Sequence, residues 1–562
     1  MTAPHRRARP SPGTVLARYA PFVAVVAAIG IIAAVAPGGG SSAPARPSTS
    51  ALPITYDEAQ ARGIHLDWGP SCDTMTGRVA VPLTYAPPCV PPFHGSNGGA
   101  TTPGVTATTI TVAVYQTQPD ILQQTFFNNS GSEASLAAEL RTTQAYVDFF
   151  ESHYETYGRK IRLVPLRASG SPDDDVAAKA DAIRVATQLH AFASFGGPSQ
   201  TAAYAQELAA RGVLCLGDCV LAETTGFLQT NAPYVWPTLA APDQAAVSWA
   251  EFVRTQLANR HASDAGDAKL RRQVRRFGVV RFDDGTGIFD ATYKQFASVL
   301  ARSGTKIAIN LKYQLDLNQA QEIARTLIAA LKKAHVTSVV LAGDPVFPSF
   351  LTREATAQNY FPEWVVLGYA YTDTAVFGRT YDQRQWAHAF GVSLLPARTT
   401  DAANEFASIL RWQFGDGPEA KTYQVLVQSP LIFFTGVHLA GPRLTPQTFR
   451  DGLFRYPASG STSPTVLHTS WGVHGIWPQT DYTWGDDLTV IWWDPNATGP
   501  DEVGNEGRGM YRYALDGRRY LPGHWPADVG LFDTARSVTL YTSLPPGSRP
   551  PSYPSPASTH GG

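Results

Sequence analysis

The residues best placed to do chemistry in this chain sit in short loops that follow runs of β-branched and aromatic residues, because in open α/β sheets ligands bind beyond the carboxyl ends of the strands. After the run at 193–195 come Gly196, Gly197 and Pro198, then Ser199, Gln200 and Thr201 at the head of a helical pattern. These three offer a hydroxyl, an amide and backbone N–H donors at a helix N-terminus, a setting suited to a carboxylate or another anion. Ser199 serves equally well as a plain helix cap. Asp284, Thr286 and Gly287 follow the run at 277–282, Asp344, Pro345 and Phe347 follow that at 338–342, and Tyr369 and Tyr371 follow that at 364–367. Asp344 has the charge to pair with an amino group or to cap the next helix. Tyr371 has the ring and polar tip of a pocket wall, or fills a hinge. Gln116 and Gln118 complete the set after the run at 110–115.

What the chain lacks bears on catalysis. It contains no Gly-x-Ser-x-Gly turn, no His-Glu-x-x-His helix and no Gly-x-x-x-x-Gly-Lys loop, and its thirteen histidines are scattered. A binding protein is therefore expected rather than an enzyme. A hydrolase built from distant residues is the weaker alternative, since Ser-His-Asp sets need no shared motif. No cofactor or metal is expected. The acidic loop at 494–509 lacks the regular ligand spacing of a calcium loop and reads as a surface turn.

The four cysteines are Cys72, Cys89, Cys215 and Cys219. An even number in an exported chain favours disulfides, and proximity suggests Cys72 with Cys89 and Cys215 with Cys219, one of three possible connectivities. The second pair has the spacing to hold a metal, although no histidine or third cysteine stands beside it.

Positioning these loops requires strands alternating with helices. From residue 110 short β-branched runs at 110–115, 160–166, 193–195 and 213–216 alternate with helical stretches. A second series follows, with strands at 277–282, 306–311, 338–342 and 364–367 and helices at 245–257, 318–333 and 347–358. In the helix after Gly287, Phe289, Tyr293, Phe296 and Leu300 share one face. Such alternation predicts two successive parallel α/β halves.

Several segments resemble the leucine/isoleucine/valine-binding family of ABC-transporter solute receptors, which have the type I periplasmic-binding-protein fold. They are 104–112, from Gly104 to Val112; 145–150, before Tyr157, Gly158, Arg159, Lys160 and Ile161; and 279–287, from Val279 to Gly287. The resemblance covers about residues 104–520 and implies a two-lobed fold with a parallel sheet in each lobe and three crossings between lobes. It places lobe one at 104–237 and 398–458, and lobe two at 238–397 and 459–525. It implies a ligand-contacting serine at Ser199 and ligand contacts in the loop holding Gly217, Asp218 and Cys219, where Asp218 also fits an ordinary turn. Family members that bind amino acids carry an acid after the last lobe-two strand. Here that place reads Gly368, Tyr369, Ala370, Tyr371, Thr372 and Asp373, with Asp373 far along. A branched-chain amino acid is thus one candidate ligand beside amides, aromatic acids and apolar solutes.

The resemblance implies capture of a small molecule for an ABC importer and a permease as partner. A tethered sensing ectodomain without transport is the alternative. With 45 basic against 46 acidic residues, no broad positive field exists to hold nucleic acid. The apolar stretch 19–36 behind Arg6, Arg7, Arg9 and Arg18 reads as a membrane anchor or a cleaved signal, which puts the rest outside the cytoplasm, anchored or secreted. Residues 1–36 form the arm and the anchor or signal, and 37–53 follow as a flexible linker. Residues 54–103 form a cysteine-stapled extension, and 526–562 a tail, disordered toward its end.

Overall fold

The computed structural model describes residues 52–118, 136–198, 200–217, 219–220, 223–283, 285–416, 424–460 and 463–559. The expected anchor or signal at 1–36 and nearly all of the linker lie outside these residues. No described helix is long and apolar enough to cross a membrane.

The extension begins the described chain. Its two short strands, β1 (Cys72–Asp73) and β2 (Arg78–Val79), pair antiparallel beside the Cys72–Cys89 disulfide. Val81, Leu83 and Tyr85 are buried in the core of the domain that follows, so the extension is packed onto that domain.

That domain holds a five-stranded parallel sheet in the order β4-β3-β5-β6-β7. The strands are β3 (Thr109–Gln116), β4 (Lys160–Arg167), β5 (Ala193–Phe195), β6 (Leu214–Leu216) and β7 (Val235–Trp236). β3 is covered on both faces and reads as an almost continuous apolar run, whereas β4, at the edge, has exposed positions along most of its length. Helices α1 (Leu136–His153), α2 (Asp175–Thr187) and α3 (Ala203–Ala210) flank the sheet. Asp174 caps α2 by accepting from the backbone N–H groups of Val176 and Ala177.

The chain then enters a second sheet through α4 (Pro242–Phe252), whose continuation at Val253–Leu257 is a π-helical turn where the sequence predicts one helix over 245–257. Strands β8 (Phe277–Phe282), β9 (Ile307–Tyr313), β10 (Ser338–Ala342), β11 (Glu363–Val366) and β12 (Ala389–Ser393) run parallel in the order β9-β8-β10-β11-β12. Helices α5 (Ile288–Arg302), α6 (Ala320–Lys333) and α7 (Phe347–Ala357) connect the first four of these strands. Val280, Leu341, Trp364 and Val366 face one apolar layer; Phe277, Val279, Val340, Val365 and Phe390 face another, with Trp249 and Phe296. The two-residue side-chain period of a strand produces that division.

After β12 the chain returns to the first sheet, where α8 (Glu405–Phe414), α9 (Gln428–Ala440) and α10 (Pro446–Leu453) complete its core. Phe433 meets Phe195 edge-on and Phe449 meets Trp236. Val466, Leu467, Trp471, Tyr482 and Trp484 also belong to this first core, although they fall within 459–525, which the resemblance assigns to lobe two.

The second sheet is not purely parallel. β13 (Leu488–Pro500) pairs antiparallel with β12 and with β14 (Glu506–Tyr513), and two short strands, β15 (Arg519–Tyr520) and β16 (Ser537–Val538), pair with them. The expected surface turn at 494–509 is largely this hairpin. Nor does 526–559 trail away as a tail. Phe532 packs on Phe390 and Trp492, the Tyr541 N–H donates to the Arg398 carbonyl, and the Tyr553 carbonyl accepts from the Trp412 indole.

The segments that pass between the sheets lie side by side. Gln244 donates to Asp481 at 3.0 Å, and the Ala397 N–H donates to the Pro464 carbonyl at 2.8 Å. Arg519 pairs with Asp487 at 2.9 Å while donating to the carbonyls of Leu394 and Leu395.

Candidate functional site

Ser199, Asp218 and Asp284 lie outside the described residues. Their neighbours show what the strand-end loops do. On the first sheet, the Thr201 hydroxyl donates to Asp175 and accepts from the Ala203 N–H at 3.0 Å, so it ties the start of α3 to the start of α2. Gln200 is exposed beside it. Gly217 takes a positive φ of 72°, and a Cβ there would come within 2.0 Å of the Ser429 hydroxyl. Glycine is required by this approach of the loop to α9. The Cys215–Cys219 disulfide spans the same loop. Gln116 is buried and donates to the Leu136 carbonyl at 2.8 Å; Gln118 donates to that of Ala168 at 3.3 Å.

On the second sheet, Asp344 is buried and receives three donors: the Tyr313 hydroxyl at 2.5 Å and the N–H groups of Val346 and Phe347 at 2.7 and 2.8 Å. Burial pushes its carboxyl up while these donors pull it down. The arrangement is that of a helix cap. Thr286 accepts from the Ile288 N–H at 3.2 Å at the start of α5. Tyr371 is 40% exposed in a left-handed backbone conformation, as is Ala370 before it. Asp373 is turned inward; it accepts from the Ser393 hydroxyl, and burial pushes its carboxyl up to about 6.

Tyr369 does line a cavity. Above the face formed by Val279, Val340 and Leu367, the packed helices α4 and α5 leave an apolar pocket at the carboxyl ends of β8, β10 and β11. Trp249, Phe289, Tyr293 and Phe296 close its sides. Tyr369 meets Trp249 and Phe289 edge-on, with ring centroids 6.0 and 5.6 Å apart.

Among the described residues, one charged side chain lines this apolar space. Arg281 is 4% exposed, and its Nε donates to Asn310 Oδ1 at 3.0 Å. Its Nη2 pairs with Asp290 at 2.5 Å, and the guanidinium carbon lies 4.9 Å from the Tyr293 ring centroid. Lys312 joins the group at 2.7 Å from Asp290 and 3.5 Å from Asp283. Hydrogen bonding from Lys312, then from Arg281, holds the Asp290 carboxyl below its ordinary value. Arg281 Nη1 and Trp249 Nε1 are both buried without a hydrogen-bond partner.

Helical spacing in the sequence puts Phe289, Tyr293 and Phe296 on one face, whereas Arg281 and Trp249 are absent from the expected site. A signal was present. In Phe277-Gly278-Val279-Val280-Arg281-Phe282, strand alternation puts the arginine on the face of Phe277 and Val279.

The sequence profile described as "Periplasmic binding protein" matches residues 127–472. Among curated proteins no match was found. Of solved structures, an ABC-transporter substrate-binding protein from Aeropyrum pernix aligns at 10% identity with a TM-score of 0.49, covering 75% of this chain and 97% of that one. A possible leucine/isoleucine/valine-binding protein from Rhodopirellula baltica aligns at 10% identity and 0.48, covering 68% and 94%. A solute-binding protein of an ABC transporter from Rhodopseudomonas palustris, in complex with p-hydroxybenzoic acid, aligns at 12% identity and 0.48, covering 76% and 100%. With a profile match over more than half its length, the chain belongs to the periplasmic binding protein family.

Proposed function

We propose that this chain is an extracytoplasmic receptor that captures a small molecule between its two α/β lobes and delivers it to an ABC permease. The observation that carries this reading is the cavity at the carboxyl ends of β8, β10 and β11, where an open α/β sheet receives ligand. Tyr369 forms part of its wall. We assign Gln200, Thr201 and Gly217, with Ser199 and Asp218 from the same loops of the sequence, to the opposing rim, and Thr286, Asp344 and Tyr371 to the second-lobe side. In this reading Thr201, Gly217 and Asp344 act by holding loops and helix starts in place, since their polar groups or backbone are already engaged. Ser199 and Tyr371 remain the proposed direct contacts of the rim.

The three adjacent crossings give such a receptor a hinge, and closure brings both rims onto the ligand. Small-angle scattering tests this. A metabolite that raises the melting temperature is expected to reduce the radius of gyration at saturation. An unchanged radius with saturated binding overturns the closing receptor.

A further inference from the structure

We propose that the cavity beneath α5 takes an uncharged, mainly apolar solute that offers oxygen acceptors to Arg281 Nη1 and Trp249 Nε1. The inference rests on the reading of the chain as a solute receptor and names the chemistry of what it binds. Three observations lead to it.

The first is the lining. Apart from Arg281, the cavity presents aromatic and aliphatic surface, and the Thr292 hydroxyl is already donated to the Ile288 carbonyl at 2.8 Å. Aromatic walls of this kind favour an apolar body. The second is the pair of orphaned groups. Arg281 Nη1 and Trp249 Nε1 are both donors, both buried, and both belong to residues that line the cavity. A buried donor left unpaired is unfavourable, and an acceptor carried by a ligand removes that cost. An amine offers these groups only further donors, and a hydrocarbon leaves them unpaired.

The third is charge. Arg281 and Lys312 face Asp290 and Asp283, two cations against two anions. A carboxylate entering the apolar space would be uncompensated, and burying an unpaired charge is among the costliest events in a protein interior. A ketone, ester or amide oxygen receives the same hydrogen bonds and leaves the balance intact.

Four probes of one size separate these properties: toluene, acetophenone, benzoate and benzylamine, titrated into the full chain by ligand-observed NMR and tryptophan fluorescence. Acetophenone is expected to bind about tenfold more tightly than each of the others. Arg281→Met is expected to bring acetophenone and toluene within about twofold of one another, with toluene affinity retained. Trp249→Phe, a milder change, is expected to cut the acetophenone advantage in the same direction and keeps the test open if Arg281→Met does not fold. Benzoate or benzylamine binding more tightly than acetophenone overturns the proposal. So does an acetophenone advantage that survives both variants, or no binding by any probe. If another solute shrinks the molecule while none of the four binds, the receptor stands and this inference falls. If the probes bind as expected while no solute shrinks the molecule, the cavity chemistry stands and lobe closure falls.

Discussion

Asp344 illustrates how one loop acid supports two readings that only its partners separate. Its position after a strand suits a ligand amino group, but its oxygens are committed to Tyr313, Val346 and Phe347. Asp344→Ala is expected to cost about 2–4 kcal/mol, the sum of a lost cap and an orphaned buried hydroxyl. Urea unfolding should show this as a lower midpoint at unchanged slope, with acetophenone affinity unaltered. Lost affinity at full stability would make Asp344 a ligand contact. Thr201 follows the same logic through Asp175 and Ala203. Residue types after strands were legible in the sequence, because strand ends are easy to locate. Their partners were not, since Tyr313 lies 31 positions from Asp344. For Arg281 strand alternation gives the face but not the surroundings: the pocket beside it is closed by α4 and α5, whose side chains come from separate stretches of the sequence.

At the scale of elements, the disulfide-stapled extension is held by two buried titratable groups that respond to pH in opposite directions. Glu405, at the start of α8, accepts from the N–H and hydroxyl of Thr84 at 2.5 and 2.8 Å. Burial pushes its carboxyl from 4.5 up to about 7. His438, in α9, accepts at Nδ1 from the Glu155 N–H at 2.8 Å, which leaves Nε2 to donate to the Pro88 carbonyl at 3.0 Å. Burial lowers it from 6.5 to about 4. Because folding raises the Glu405 value, its contribution is complete below about 4.5 and is lost as pH rises through about 7. Folding lowers the His438 value, so its contribution is complete above about 6.5 and is lost as pH falls through about 4. Each effect amounts to about 3 kcal/mol at full extent, and between pH 4.5 and 6.5 the two oppose one another. Relative to wild type, Glu405→Gln is expected to gain stability as pH rises through this window, and His438→Gln as pH falls. Denaturant titrations at a series of pH values decide this. Parallel curves for all three proteins would mean that neither group titrates on unfolding. The hairpin of β13 and β14 was the element least legible in the sequence. The first seven residues of β13 are buried, but beyond Asp494 the strand continues through Pro495, Asn496, Ala497, Thr498, Gly499 and Pro500 with exposed positions at Asn496 and Thr498, so the apolar pattern ends halfway along it.

For the molecule as a whole, the alternation of strands and helices was enough to anticipate two α/β lobes, because a βαβ unit admits few arrangements. The course of the last segment was not, since a stretch rich in proline and serine carries no periodicity, and its contacts are made one residue at a time. Residues 526–559 begin on the second core, where Phe532 meets Phe390 and Trp492. Near Arg398, Tyr541 exchanges two backbone hydrogen bonds with the chain entering the first lobe. Beyond it, Tyr553 and Ser555 hold Trp412 of α8, and the Tyr553 hydroxyl donates to Asp73 of the extension at 2.9 Å. A chain ended after residue 544 therefore keeps its anchor on the second core and loses the contacts that brace α8. Local opening follows the contacts that hold each region, so the effect should be confined. Amide hydrogen exchange is expected to quicken about tenfold or more in Glu405–Phe414 and around Asp73, while β13 and β14 exchange as in the full chain. Exchange that is unchanged in α8 would show that the segment only rests on the first lobe. Exchange that quickens equally in both lobes would show that it supports the fold as a unit.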